Sequence, residues 1–238
     1  VRVAALSDIH GNLPALEAVL ADVERESVDA VLVAGDTVSG PWPVEVFDLL
    51  ADVEARIVRG NADREVLERG EQFGKLATWC ADRLGETRLA TAGAWPLTLE
   101  LEVDVLGTTL MCHSTPDADD PIYTRVTPER VLLDLMADVR ADVVLCGHTH
   151  MQYDRRLPGG LRLVNPGSVG LPYEGRAGAY WALIGPEVEF RRSDYDTVAA
   201  AEAVQALGAP VDEQLLAYLV DPPTSDETTA YFESLRAS

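Results

Sequence analysis

Apolar residues along this chain recur with two different periods, and the switches between them mark out its elements. RVAALSD opens with an apolar run of strand length. NLPALEAVLADVERE follows, with Leu13, Leu16, Val19, Leu20 and Val23 at helical spacing. Asn12 is placed to cap that helix, and Pro14 falls in its first turn, where a missing N–H costs little. The alternation continues: DAVLVAGD predicts a second buried strand, PVEVFDLLADV a helix, and ARIVRGN a third strand. ADREVLERG predicts a short helix and GKLATWCADRLGETRLATAG a longer one. After Pro96, LTLELEV and TTLMCHS read as strands joined by a hairpin turn at DVLG. TPERVLLDLMADV is a helix with a Thr cap and Pro at its first position. ADVVLCGHTH, QYDRRL, LRLVNPGSV and GAYWALIGPEVEFRRSDY then predict a succession of strands, with hairpin turns at PGG and GPE. TVAAAEAVQALG and DEQLLAYLV are helical, DPPTSDE breaks the pattern, and a short helix ends the chain. No internal repeat or low-complexity linker intervenes. One mixed α/β domain over 1–238 is expected, with a helical segment from about residue 195.

The polar residues that end the predicted strands change the picture. RVAALS ends in Asp8-Ile9-His10, AVLVAG in Asp36, RIVRG in Asn61, TLMC in His113, and VVLCG in His148-Thr149-His150. Open α/β sheets bind ligands at the carboxyl edge of their strands, where helices and loops leave a crevice. The chain has only four histidines, and all of them fall at these tips. In extended backbone, residues i and i+2 point the same way about 6.5–7 Å apart, so Asp8/His10 and His148/His150 read as two ligand pairs. Imidazole, carboxylate and amide donors together suit borderline divalent ions such as Mn²⁺, Fe²⁺, Zn²⁺, Co²⁺ or Ni²⁺. Seven such groups, with one carboxylate shared, fit two ions about 3.5–4 Å apart.

Composition narrows the partners. With 40 acidic against 19 basic residues the net charge is −21, and no basic cluster stands out, so duplex nucleic acid is a poor fit. An anionic substrate then needs a local positive charge, which bound metal supplies. No apolar run approaches a membrane span, VRVAAL runs into SDIHGN without a leader-like pattern, and three cysteines lack a CxxC pairing. A cytoplasmic protein is expected, with a homo-oligomer left open. Weaker candidates are Trp42, in the GPWP loop, as a pocket wall, and Arg125 and Arg176 as phosphate binders. Asp117, Asp119 and Asp120 read as a solvated patch, and Cys112 and Cys146 as buried packing.

The ordered series SDIHGN, AGD, RGNAD, CHS and CGHTH, followed by VNPGSVG, resembles the calcineurin-like metallophosphoesterases over about residues 3 to 170. It looks most like their compact bacterial and archaeal phosphodiesterase branch. The resemblance implies a two-sheet β-sandwich flanked by helices, with a dinuclear site at the sheet edge. One metal would take Asp8, His10 and His150, the other Asn61, His113 and His148, and Asp36 would bridge them. Manganese leads, with iron, zinc, nickel or cobalt as alternatives. The implied chemistry is in-line attack on the phosphorus of a small phosphorylated substrate by a metal-bound hydroxide. Many relatives carry a histidine after the loop asparagine to protonate the leaving group. Here Ala62 stands in that place, with Asp63 as a candidate substitute acid. Leaving groups that need little protonation are therefore expected to react best. Dinucleoside polyphosphate hydrolysis is the alternative activity, and a non-catalytic scaffold of the same fold the alternative role.

Overall fold

The chain was analysed as a computed structural model, which describes residues 1–103 and 106–236. In chain order its first half carries β1 (Val3–Leu6), α1 (Leu13–Val23), β2 (Ala30–Val33), α2 (Pro43–Asp52), β3 (Arg56–Ile57), α3 (Asn61–Glu68) and α4 (Gly74–Gly93). Next come β4 (Thr98–Val103), β5 (Gly107–Cys112), α5 (Glu129–Leu135), β6 (Val143–Leu145), β7 (Gln152–Arg156) and β8 (Arg162–Pro166). The chain continues through β9 (Ala179–Ile184), β10 (Val188–Ser193), α6 (Thr197–Leu207), α7 (Glu213–Val220) and α8 (Ser225–Arg236). Two five-stranded sheets result, in the orders β10-β9-β1-β2-β3 and β4-β5-β6-β8-β7. Within them β1, β2 and β3 run parallel, as do β5, β6 and β8.

Side-chain alternation dictates the layering, because successive residues of a strand face opposite sides of a sheet. Val3 and Ala5 of β1 and Leu32 of β2 meet Met111, Val143, Leu145 and Val164 of the second sheet in one buried cluster. Their neighbours Ala4, Leu6, Val31 and Val33 point the other way, onto Leu16, Val19 and Leu20 of α1 and Val46 and Leu50 of α2. On the far side of the second sheet, Leu110, Val144 and Leu163 pack on Leu132 and the following Met136. Both central sheets are therefore covered on both faces, which is why their strands read as continuous apolar runs rather than as alternating ones. The architecture is the expected α/β sandwich of two sheets flanked by helices.

Three local differences from the sequence reading have visible causes. β3 shortens to two residues, since after Ile57 the chain turns to start α3. The long α4 is broken at Gly85 (φ 69°, ψ 168°), a backbone conformation that only glycine adopts freely. α8 begins inside the predicted breaker: Thr224 Oγ1 accepts from the Glu227 N–H, and the Glu227 carboxylate accepts from the Thr224 N–H. That reciprocal cap starts a helix directly after Pro222-Pro223. The DVLG turn lies partly outside the described residues, although β4 and β5 pair antiparallel as expected. Among the described residues, no helix is long and apolar enough to cross a membrane.

Candidate metal centre

All seven predicted ligands lie just beyond carboxyl ends of parallel strands. Asp8 and His10 follow β1, Asp36 follows β2, Asn61 opens α3 after β3, His113 follows β5, and His148 and His150 follow β6. The proposed extended i, i+2 geometry is not what aims them. Asp8 (φ 52°), His10 (46°), Asp36 (53°), His148 (70°) and His150 (59°) all sit in the left-handed region. They are five of the seven non-glycine residues there among the described residues. Each costs about 1–2 kcal/mol against right-handed backbone, a heavy load for a fold whose net stability is typically about 5–15 kcal/mol. Such strain collects where function over-determines conformation.

Crossed backbone hydrogen bonds hold these loops in place. Asp8 N donates to Gly35 O (3.0 Å), His10 N to Asp36 O (2.9 Å), and Gly147 N to His113 O (2.8 Å). Glycines make the close approach feasible. A Cβ on Gly40 would lie 1.7 Å from His10 O, one on Gly60 2.2 Å from an Asp36 carboxylate oxygen, and one on Gly147 2.7 Å from an Asp8 carboxylate oxygen.

The side chains converge. Asp8, His10, Asp36 and His150 each present one ligand atom within 4.8 Å of the others. His10 Nε2 and His150 Nε2 are 3.2 Å apart, and His150 Nε2 lies 3.3 Å from Asp8 Oδ1. His113 Nε2 stands 3.4 Å from Asp36 Oδ2 and 3.2 Å from Asn61 Oδ1, which ties the remaining loops to the same centre. His113 and His150 each direct Nδ1 to a backbone carbonyl, of Ala34 and Leu171 respectively, at 2.6 Å. That bond fixes the ring and leaves Nε2 facing the cluster, the usual support for a metal-binding imidazole. His148 Nε2 is buried with no hydrogen-bond partner. A buried imidazole nitrogen left unpaired is costly, and an electrophile at this point satisfies it. The donor set, the orphaned nitrogen and the glycine cradle all fit divalent metal.

Protonation follows from burial and charge. Burial alone would raise the Asp36 carboxyl, but His113, hydrogen-bonded beside it, holds it well below the usual carboxylate range. Asp8 is likewise held low against its burial by His150 and His113. Burial disfavours charge on His113, yet Asp36 and Asp8 push it up to about 10. His150 is raised in the same way by Asp8. His148 goes the other way: burial, then His113, push it down to about 4. Without metal, a proton on His113 supplies positive charge beside the two carboxylates.

The other sequence candidates fare differently. Asp63 is fully buried, and its carboxylate accepts from the N–H groups of Thr37 (2.8 Å), Val38 (2.9 Å) and Gly60 (3.1 Å). Burial and the nearby Asp36 raise it to about 7. A group so enclosed ties the Asp36 and Asn61 loops together. Arg125 is committed to α8 through Ser225 Oγ (2.7 Å) and the Asp226 carboxylate, so it is not a free phosphate binder. Arg176 is exposed, its carbonyl accepting from Tyr180 Oη, and no contact joins it to the cluster. The GPWP loop does wall a cavity beside the cluster, but through Gly40 and Pro41; Trp42 stands at the residue before α2 instead. Asp119 is buried in a bidentate pair with Arg64, not solvated, and it ties α3 to the loop after His113. Cys112 and Cys146 are buried as expected.

Sequence reasoning passed over three supports. Ser168 Oγ donates to Asp8 O (2.7 Å), Asn165 Nδ2 donates to Gly147 O (2.6 Å), and Tyr173 stacks on the His150 ring at 4.8 Å. The first two lie in VNPGSVG, whose presence was a signal without a role until the loop was seen clasping both ligand loops.

Two mixed sheets inside helices, with Asp, His and Asn gathered at their common carboxyl edge, define a metal-dependent ester hydrolase. The model of the calcineurin-like phosphoesterase superfamily domain matches residues 1–184, and the chain belongs to that superfamily as a metallophosphoesterase. It is 28% identical over 228 residues to the uncharacterized protein MJ0912 of Methanocaldococcus jannaschii, covering 85% of this chain and 91% of that one. It is 28% identical over 188 residues to Phosphodiesterase YfcE of Escherichia coli K12, covering 74% and 84%. The crystal structure of a metallophosphoesterase from Sphaerobacter thermophilus superposes with a TM-score of 0.74 at 26% identity, over 92% of this chain and 98% of that one.

Proposed function

We propose that this chain hydrolyses phosphodiesters using two divalent transition ions, manganese foremost. The convergence of Asp8, His10, Asp36 and His150 within 4.8 Å carries this reading, with His113 joining Asp36 to Asn61 beside them. Asp8, His10 and His150 would hold one ion, Asn61, His113 and His148 the other, and Asp36 would serve both. When bound, such ions supply Lewis-acid polarisation of phosphoryl oxygens and activation of water near neutral pH. The likeness to an enzyme named as a phosphodiesterase supports the diester over the monoester.

The protein's own groups do the rest. The Ala34 and Leu171 carbonyls hold the Nδ1 protons of His113 and His150, so both rings keep one orientation throughout turnover. The His148 backbone N–H, 3.2 Å from both Asp8 carboxylate oxygens, keeps that carboxylate turned to the cluster. Proton donation to the departing oxygen has no dedicated group. All four histidines belong to the cluster, Ala62 offers a methyl group, and Asp63 is enclosed by three N–H donors. Reactivity therefore tracks the acidity of the leaving alcohol.

The test is nitrophenolate release from bis(p-nitrophenyl) phosphate with Mn²⁺, against p-nitrophenyl phosphate and simple alkyl diesters, with anaerobic metal analysis alongside. Two ions per chain and a diester preference that falls steeply with leaving-group pKa are expected. A folded, metal-loaded protein that cleaves no diester refutes the proposal. Equal rates for aryl and alkyl leaving groups refute the missing acid.

A further inference from the structure

We infer that the substrate carries an apolar ester group, an aryl ring or an alkyl chain of about six carbons, seated in the cavity beside His10 and Ala62; this rests on the phosphodiesterase reading above.

The cavity has a volume of about 190 Å³ and touches the metal centre through His10 and Ala62. An apolar cavity of about 150 Å³ is enough to hold benzene. Its walls are Leu76 of α4 and Leu215, Leu216 and Leu219 of α7. The helix α7 itself gives a second, independent observation. Its sequence EQLLAYLV is largely apolar, yet none of its residues is buried. A surface helix of that composition normally packs its apolar stripe into a core. Here the stripe faces the cavity, so α7 covers a binding space that opens onto the cluster.

Charge decides the class of occupant. No Lys, Arg, Asp or Glu lines the cavity among the described residues. Its polar side chains are His10 of the cluster, Ser39 and Asn12. Asn12 is already satisfied: Nδ2 donates to Gly170 O (2.9 Å) and Tyr195 Oη (3.1 Å), and Oδ1 accepts from the Ala15 N–H. A polyphosphate or nucleotide arm placed here would be desolvated with no Lys or Arg side chain to pair its charge, in a chain of net charge −21. An apolar arm gains by leaving water against the leucine walls.

The experiment uses the Mn²⁺-loaded full chain and p-nitrophenyl diesters whose second alcohol runs from methyl through ethyl, butyl, hexyl and decyl to phenyl. The leaving group, and hence the chemistry, stays constant. kcat/KM is expected to rise about fourfold per methylene as far as about six carbons and then level off. Leu216→Ser and Leu219→Ser, on a helix with no buried residue, are expected to flatten that slope. A parallel readout needs no turnover: hexylphosphonate should shift the methyl NMR signals of Leu215, Leu216 and Leu219, and methylphosphonate should not. Turnover with no chain-length dependence and no leucine shifts overturns the apolar-arm proposal and leaves the phosphodiesterase reading standing. Leucine shifts without cleavage of any diester do the reverse. An unchanged slope in both variants also overturns the proposal, because the arm would then lie elsewhere.

Discussion

Gly147→Ala places one methyl group where the β1 and β6 loops meet, and its effect can be worked out from the structure. The new Cβ would lie 1.8 Å from Ser7 Oγ, 2.9 Å from Ser7 Cβ and 2.7 Å from Asp8 Oδ2. Gly147 cannot retreat, since its N–H donates to His113 O (2.8 Å) and its carbonyl accepts from Asn165 (2.6 Å). Ser7 must therefore swing off Ala34 O, to which it donates at 3.1 Å, and the Asp8 carboxylate must move. Overpacking costs about 1–3 kcal/mol and the lost hydrogen bond about 1 kcal/mol. A total of about 2–4 kcal/mol corresponds to a Tm drop of about 4–16 °C for a chain of this size. Displacing Asp8 should also weaken Mn²⁺ binding by about 10–100-fold, as losing a ligand's support usually does. Differential scanning fluorimetry and isothermal titration with Mn²⁺ read the two effects separately. Ser7→Gly added to Gly147→Ala removes two of the three contacts, so it should recover part of the stability and little of the metal affinity. Gly93→Ala, whose Cβ meets only Leu67 at 3.8 Å, is the control and should stay within about 1 kcal/mol of wild type. A Gly147→Ala protein that melts and binds Mn²⁺ like wild type would mean that the two loops do not meet as described.

Three further outcomes are expected. Mn²⁺ at about 100 times its dissociation constant should stabilise the protein by about 2.7 kcal/mol, raising Tm by roughly 5–11 °C in a way that chelator reverses; an unmoved Tm means that the folded cluster takes no ion. At pH 8 the proton on His113 must leave as metal enters, so calorimetry in buffers of different ionisation heat should show about one proton released per chain; buffer-independent heats would contradict that protonation. Because the folded pKa of His113 is raised to about 10, its contribution to metal-free stability is whole below about pH 6.5 and is lost as pH climbs toward 10, so chelated protein should melt progressively lower over that window. Asn165→Ala leaves the Gly147 carbonyl with the Thr149 N–H alone and frees the Gly167 N–H, which should cost about 1–3 kcal/mol by thermal melt and weaken Mn²⁺ binding about tenfold; retained affinity would remove Asn165 from the list of supports.

The order of strands and helices was legible because each buried strand is bounded by turn residues and each helix keeps its apolar spacing. The candidate ligands were legible because donor side chains, rare elsewhere in the case of histidine, stop those strands. The role of Asp63 was not, because an acid beside a ligand looks the same in sequence whether it faces substrate or three backbone N–H groups. Arg125 and Asp119 were misread for a similar reason. Their partners, Asp226 and Arg64, lie 101 and 55 residues away, and no local pattern announces a pairing at that range.

Local chemistry, then, fixed which segments fold into strands and helices and which side chains could bind metal, since periodicity and donor type are properties of short stretches. Only the tertiary structure decided how those donors meet. Left-handed backbone at five of them is sustained by loops crossing one another and by glycines that let the loops touch. It also decided that the tail helix α7 closes an apolar cavity against His10, because a leucine stripe reveals its partner only when the chain has brought one to it.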